Sequence, residues 1–500
     1  MPVRSGSTLP VRAHGARPQH AAAPPFQPHV AFVVDHPARD LGGLVLTAAT
    51  LAQAGVVCHL VPLNLVQGQL WALAPDLVVL NYARPGNAPL ARALLDAGIR
   101  IAVLDTEGAA WEDCDAYGEL LWTDPALLGA LSVACMWGPT LARHLVTRGL
   151  LTEGQVAVTG CPRFDFYHPR WRRVATEGRN GTRPCLLINT NFSFSNPRFA
   201  SAARNWEQME RELGLSADRL TALRDAETQA LHGMISLARN LARDFPDCDV
   251  VLRPHPFEDP APYVAGCPDG QGVTVDGSGP IQARLLQARA VIQRSCSTAA
   301  EAAMAGVPTL SPQWLPAPLL IPFAEAVSTP CGTYDGLRGV LQQIVSGSFD
   351  PAAQAGAAER VLPDWFGPLD GQAHQRVADA IRAHLPGKRL VDMRRCATHL
   401  YQLDGQPRAT GARLAAHVRY ALRLSPAWSF RRWQVADAKD WRTSSKGFGT
   451  TEVERHWHAI RAELLDAGQQ PGDLRITPSV GRYARAAGAP AHSVTMLRPA

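Results

Sequence analysis

From His29 onward the chain repeats one pattern: a short apolar run, a polar loop, then an amphipathic stretch of helical period. Apolar runs at His29–Val34, 56–61, 76–80, Arg100–Leu104, 131–137 and 155–159 are interleaved with helical stretches at 41–54 and 89–97. Parallel strands need a crossover, usually a helix, so this order predicts a mostly parallel, doubly wound sheet. The rhythm breaks at 162–184, where Pro, Gly and Arg170, Arg172, Arg173, Arg179 and Arg183 predict a connector, with a boundary near Gly178. It resumes with strands at 185–190, 250–253, 290–293 and 308–310, a long polar helical region at 197–244, and helices at 281–288 and 298–305. The expected fold is α/β: two Rossmann-like domains, 29–177 and 178–385, facing a cleft. A leader, 1–28, read as disordered, precedes them, and a basic C-terminal extension, 386–500, follows.

Five hundred residues exceed what one hydrophobic core supports, which argues against a small binding module. The ten cysteines occur singly, Cys58, Cys114 and Cys296 among them, so neither a disulfide framework nor a metal site is expected. The leader lacks the apolar run of about 7–15 residues found in signal peptides. The longest apolar stretches, such as 44–51, fall short of the ~20 residues that span a bilayer, so a cytoplasmic location is expected. Net charge is +5, with about +10 after Leu385 and about −5 before it. That basic tail suits an anionic partner. No nucleic-acid motif is present, and its Arg and Trp content (Trp428, Trp433, Trp441, Trp457) suits either peripheral contact with the inner membrane or packing across the domains.

In open α/β sheets ligands bind beyond the carboxyl ends of the strands, and four loops there concentrate polar residues. Arg253-Pro254-His255-Pro256 follows a strand, and its prolines fix the backbone around an imidazole suited to a phosphate oxygen; an ordinary Pro-rich turn has the same composition. Ser295, Ser297 and Thr298 open a helix whose free N–H groups and hydroxyls suit a phosphate or ribose. Thr298 to Glu301 also spells a capping box that would satisfy those N–H groups internally. Asn189, Thr190, Asn191 and Ser193 open the second domain, as donor-binding groups or as a plain turn. Asp105-Thr106-Glu107-Gly108 places carboxylates at a strand end, where one can deprotonate an acceptor hydroxyl. Asp35, His36, Arg39, Arg163 and Asp165 are further cleft candidates, for the acceptor side, or turn and cap residues.

The segments VDHPARDL, LNYAR, LDTEG, GCPRFDFY, LINTNFS, RPHP and SCSTAAEAAMAGVPTLS, in this order from about His29 to about Leu385, resemble a bacterial family of surface carbohydrate biosynthesis proteins. The resemblance implies the two-domain arrangement called GT-B. An HP motif followed by a Ser-rich motif is similar to CMP-sugar-dependent sialyltransferases and Kdo transferases; it implies phosphate contact by His255 and nucleotide contact by Ser295 and Ser297. Those families carry an acidic pair before Gly, which here reads Thr106-Glu107-Gly108, so Glu107 is the expected base and Asp105 its reserve. The same elements resemble CDP-glycerol glycerophosphotransferases. The expected function is that of a metal-independent, glycosyltransferase-like enzyme of surface polysaccharide biosynthesis, transferring a sugar, which by this resemblance is CMP-activated, to a glycan or lipid-linked acceptor. A CDP-glycerol-type glycerophosphotransferase and a sugar-nucleotide 2-epimerase of the same fold are the alternatives.

Overall fold

The computed structural model describes residues 26–109, 113–176, 183–198, 216–317, 320–403, 446–481, 484–485 and 493–499. In the first domain β1 (His29–Val34), β2 (Val57–Pro62), β3 (Leu77–Leu80), β4 (Arg100–Leu104), β5 (Val133–Met136) and β6 (Val156–Val158) run parallel, in the order β2-β1-β3-β4-β5-β6. Helices cover both faces of this sheet. β1 to β5 are therefore buried almost throughout and read as continuous apolar runs.

The second domain holds β7 (Cys185–Asn189), β8 (Asp249–Arg253), β9 (Val273–Val275), β10 (Ala288–Ile292), β11 (Thr309–Pro312) and β12 (Thr329–Cys331). These strands are also all parallel, in the order β12-β11-β10-β7-β8-β9. Both sheets are doubly wound, and each reverses direction once: between β1 and β3 in the first, between β7 and β10 in the second. Ligand crevices open at such switch points. The sequence-expected fold class is thus observed, with two Rossmann-like domains. Of the expected helical region 197–244, the described helix is Ala217–Asp244.

The chain returns to the first domain earlier than the division at 385 implies. Helix Ala352–Phe366 packs on helix Pro139–Thr147, and helix Ala373–Ala383 lies on α1 (Gly42–Gln53). The described parts of the C-terminal extension pack on the first domain too. β16 (Val494–Leu497) pairs antiparallel with β2, and β13 (Arg475–Pro478) pairs with β16, covering an edge that would otherwise present unpaired backbone. Between them lies the short pair β14 (Val480–Gly481) and β15 (Ala484–Arg485). Helix Thr450–Asp466 packs on α1 through Val453, Trp457 and Ile460. Trp457 is therefore core; Trp428, Trp433 and Trp441 lie outside the described residues. No helix among the described residues is long and apolar enough to cross a membrane.

Candidate functional site

Five loops, after β1, β4, β7, β8 and β10, approach one another between the two sheets, and each follows a parallel strand. After β1 the chain makes a π-helical turn, Pro37–Leu41, before α1 begins, and this turn gathers a set of charges. Arg39 donates to Asp35 at 2.6 Å and to Asp40 at 2.9 Å, and lies 3.9 Å from Glu107. Burial works to raise the Asp35 carboxyl, but Arg39 and Lys446 outweigh it and hold it below the usual range. Burial lowers the half-buried His36 imidazole, with Arg39 acting in the same direction.

After β4, Asp105 and Glu107 are two residues apart and in opposite situations. Asp105 is 2% exposed, and its carboxylate accepts from Glu107 N at 2.8 Å and from the Tyr117 hydroxyl at 3.0 Å. Burial raises it to about 6. The Glu107 side chain is 36% exposed and is paired with Arg84. Burial pushes its carboxyl upward, but Arg84 and Arg39 prevail and hold it below the ordinary carboxylate value. Gly108 is needed here because a Cβ would sit 3.0 Å from the Trp137 ring, whose Nε1 donates to the Asp105 carbonyl.

Across the cleft, half-buried His255 accepts from Phe257 N at its Nδ1, 3.3 Å away, which leaves Nε2 to carry the proton of a neutral ring. Burial lowers this imidazole to about 4; Glu107 pulls it upward, while Arg39, His36 and Arg253 push it down. His255 is therefore electrostatically in touch with both the Arg39 cluster and Glu107, and the RPHP loop faces the first domain. Gln282 also approaches it, reaching the Arg39 carbonyl at 3.5 Å.

Several expected site residues are instead occupied inside the protein. Arg253 donates both terminal nitrogens to the Ser278 and Gly279 carbonyls and clamps the loop after β9. Asp165 accepts from Ala373 N and His374 N, both at 2.9 Å, anchoring the start of helix Ala373–Ala383. Arg163 is buried, its guanidinium 4.7 Å from the ring centres of both Trp137 and Phe164, and bound to Thr106 O and Asp40. Ser295 adopts a left-handed φ of 53°, and its hydroxyl accepts from Ile321 N. The capping box is not formed: Glu301 takes the Tyr167 hydroxyl at 2.5 Å, a bond between the domains. The N–H groups of Ala299 and Ala300 are already bonded to Cys296 and Ser297 carbonyls, and the Thr298 hydroxyl donates to Cys296 Sγ at 3.2 Å, so the helix start offers the Ser297 hydroxyl rather than free amides.

The loop after β7 is held by two buried acids that sequence reasoning did not single out. Glu258 accepts from the Thr190 hydroxyl, Phe192 N and the Tyr263 hydroxyl. Glu227, on the long helix Ala217–Asp244, accepts from Phe194 N and Ser195 N. An acid in the middle of a polar helix carries no local mark that it faces inward. Asn191 and Ser193 lie half-buried on the loop so held, and Asn189 donates to Thr298, joining the loops after β7 and β10.

Burial raises Glu227 to about 7 from the ordinary 4.5. The folded protein therefore holds a proton that the unfolded chain releases, and stability should fall as pH rises from about 4.5 to about 7. Glu227→Gln should flatten that slope and gain on the order of 1–3 kcal/mol at pH 8. Thermal melts of both proteins at pH 5 and pH 8 check this; parallel melting curves at the two pH values would count against it.

Several buried polar atoms among the described residues lack a hydrogen-bond partner and sit at this cleft: Asn189 Oδ1, Thr106 Oγ1, Gln282 Oε1 and Arg163 Nε. A buried polar group left unpaired costs about 1–3 kcal/mol, so such a concentration marks where a ligand or water belongs. No group of three His, Cys, Asp or Glu side chains among the described residues is arranged to hold a metal ion.

No family model matches the chain, and no curated protein matches it. Among solved structures it is similar to the UDP-GlcNAc 2-epimerase of Neisseria meningitidis bound to UDP-GlcNAc, with 11% identity, 72% of this chain and 100% of that chain covered, and a TM-score of 0.45. It is also similar to the S. aureus MnaA–UDP co-structure, at 11% identity, 72% and 97% coverage and a TM-score of 0.45. The wall teichoic acid polymerase TagF matches at 10% identity, 62% and 73% coverage and a TM-score of 0.40.

Proposed function

We propose that the cleft binds a nucleotide-linked sugar and that the chain is a glycosyltransferase-like enzyme of surface polysaccharide assembly. The observation that carries this reading is the unmet polar capacity of Asn189, Thr106 and Gln282 at the cleft, beside a half-buried carboxylate, Glu107, and a neutral imidazole. Glu107 accepts the proton of an acceptor hydroxyl, which attacks the sugar carbon as the bond to the nucleotide phosphate breaks. His255, neutral with its proton on Nε2, donates to the departing phosphate, and the Ser297 hydroxyl adds a donor. Asp105 serves through Glu107, by holding its backbone N–H. The donor is read as CMP- or CDP-linked, the acceptor as a glycan or a lipid-linked glycan. The basic tail is read as a peripheral contact with the inner membrane.

Calorimetric titration with CMP, CDP and UDP tests the reading. A cytidine nucleotide binding more tightly than UDP supports transfer from a cytidine-linked donor, and UDP binding alone turns the reading toward epimerisation. His255→Ala should weaken the preferred nucleotide by about tenfold, the worth of one charge-assisted hydrogen bond, while leaving the melting temperature within a few degrees. Unchanged affinity in a folded variant removes His255 from the phosphate role. Absence of binding by every nucleotide at millimolar concentration rejects the function.

A further inference from the structure

The charge cluster at the end of β1 contains one member from a distant part of the chain. Lys446 lies in the C-terminal extension, and its Nζ donates to Asp35 Oδ1 at 2.8 Å. The other Asp35 oxygen is held by Arg39 at 2.6 Å, so Asp35 is bound on both sides by cations. Lys446 is well anchored. Two residues later Phe448 is 1% exposed, and helix Thr450–Asp466 then packs on α1, the helix that the Asp35 loop itself leads into.

Three carboxylates, Asp35, Asp40 and Glu107, lie within ion-pairing reach of Arg39. A guanidinium has five N–H donors in a fixed fork and cannot serve three acids and a ligand equally well. Counting the Arg163 guanidinium on Asp40 and the Asp105 carboxylate near Arg84, the cations Arg39, Arg84, Arg163 and Lys446 balance the acids Asp35, Asp40, Asp105 and Glu107, and an incoming anion meets a neutral cluster. Without Lys446 the cluster carries a net negative charge in a half-buried setting, where charge repulsion is felt strongly.

We infer that the C-terminal extension completes the candidate site: Lys446 is a positioning residue that holds Asp35 and so leaves Arg39 able to take an anionic group of the substrate. This rests on the reading of the cleft as a nucleotide-sugar site and adds to it the dependence on the extension.

The test is calorimetric titration of the full-length protein with CMP, CDP and UDP, comparing wild type, Lys446→Met, Lys446→Arg, Asp35→Asn and the Asp35→Asn/Lys446→Met pair. Lys446→Met should weaken the preferred nucleotide about tenfold or more, and Lys446→Arg should stay within about threefold of wild type. On the Asp35→Asn background the same Lys446→Met change should cost much less, because the Asp35 carboxylate that Lys446 holds no longer competes for Arg39. Equal affinity in Lys446→Met and wild type overturns the inference. So does a loss of the same size with Asp35 present or replaced, or a loss in Lys446→Met and Lys446→Arg alike that follows the fall in melting temperature. Absence of nucleotide binding by wild type itself rejects the functional reading instead, a distinct result.

Discussion

Glu107→Gln is expected to lower turnover by about 10²–10⁴-fold while nucleotide affinity stays within about threefold of wild type. The amide keeps the shape of the side chain and its place beside Arg84 but cannot accept a proton. Its neighbour is the competing base, and the two differ in a way kinetics can read. Asp105, raised to about 6, has the more suitable basicity, but it is 2% exposed and both its oxygens are engaged by Tyr117 and the Glu107 backbone. Glu107 is the weaker base and the accessible one. A base must be deprotonated to act, so with Glu107 in that role the acid limb of kcat/KM, which reports the free enzyme, lies below pH 4.5, its ordinary value. With Asp105 in that role the limb lies near pH 6. The measurement is release of nucleotide from the sugar nucleotide that binds tightest, followed from pH 4 to pH 8 for wild type, Glu107→Gln and Asp105→Asn. A dead Asp105→Asn beside an active Glu107→Gln, with a limb near 6 in wild type, would transfer the role to Asp105.

The sequence made the two parallel sheets legible because each central strand is covered on both faces and so appears as an uninterrupted apolar run. The loops at their carboxyl ends were legible for the same reason, since polar residues cluster where those runs stop. What a polar residue does at a strand end was not. Asp165 and Asp105 both read as polar residues in loops that follow parallel strands, yet one anchors a helix more than two hundred residues later in the chain and the other accepts from the Glu107 backbone. Glu301 fits the spacing of a capping box but pairs across the domains with Tyr167, because Ser297 and not Thr298 flanks the helix. The loop residues that Glu227 and Glu258 hold, and the partner of Lys446, lie far away in sequence, and no local pattern marks such contacts. The extension was least legible: its strands are short and pair antiparallel at a sheet edge set by the other end of the chain.

A chain ending at Leu385 is expected not to fold, although its last described strand in the second sheet, β12, ends well before that point. Truncation removes Phe448, Val453, Trp457, Ile460, Val494 and Met496, each no more than 4% exposed and all packed into the core around α1 and β2. At about 1.5–3 kcal/mol for each buried side chain, these contribute on the order of 10 kcal/mol, comparable with the whole net stability of a typical domain, about 5–15 kcal/mol. The deletion also strips the antiparallel partner from β2 and exposes an apolar strand edge, a ready template for aggregation. Size-exclusion chromatography and far-ultraviolet circular dichroism of the truncated chain should show aggregate or unfolded protein; a monodisperse, helical product melting within a few degrees of the full chain would refute this. Trp457→Ala in the full chain gives the graded version, with an expected loss of about 3–5 kcal/mol from a large buried side chain. Because the extension is built into the first core, membrane attachment by its arginines has to be tested on the full chain: truncation would remove the fold together with the charge.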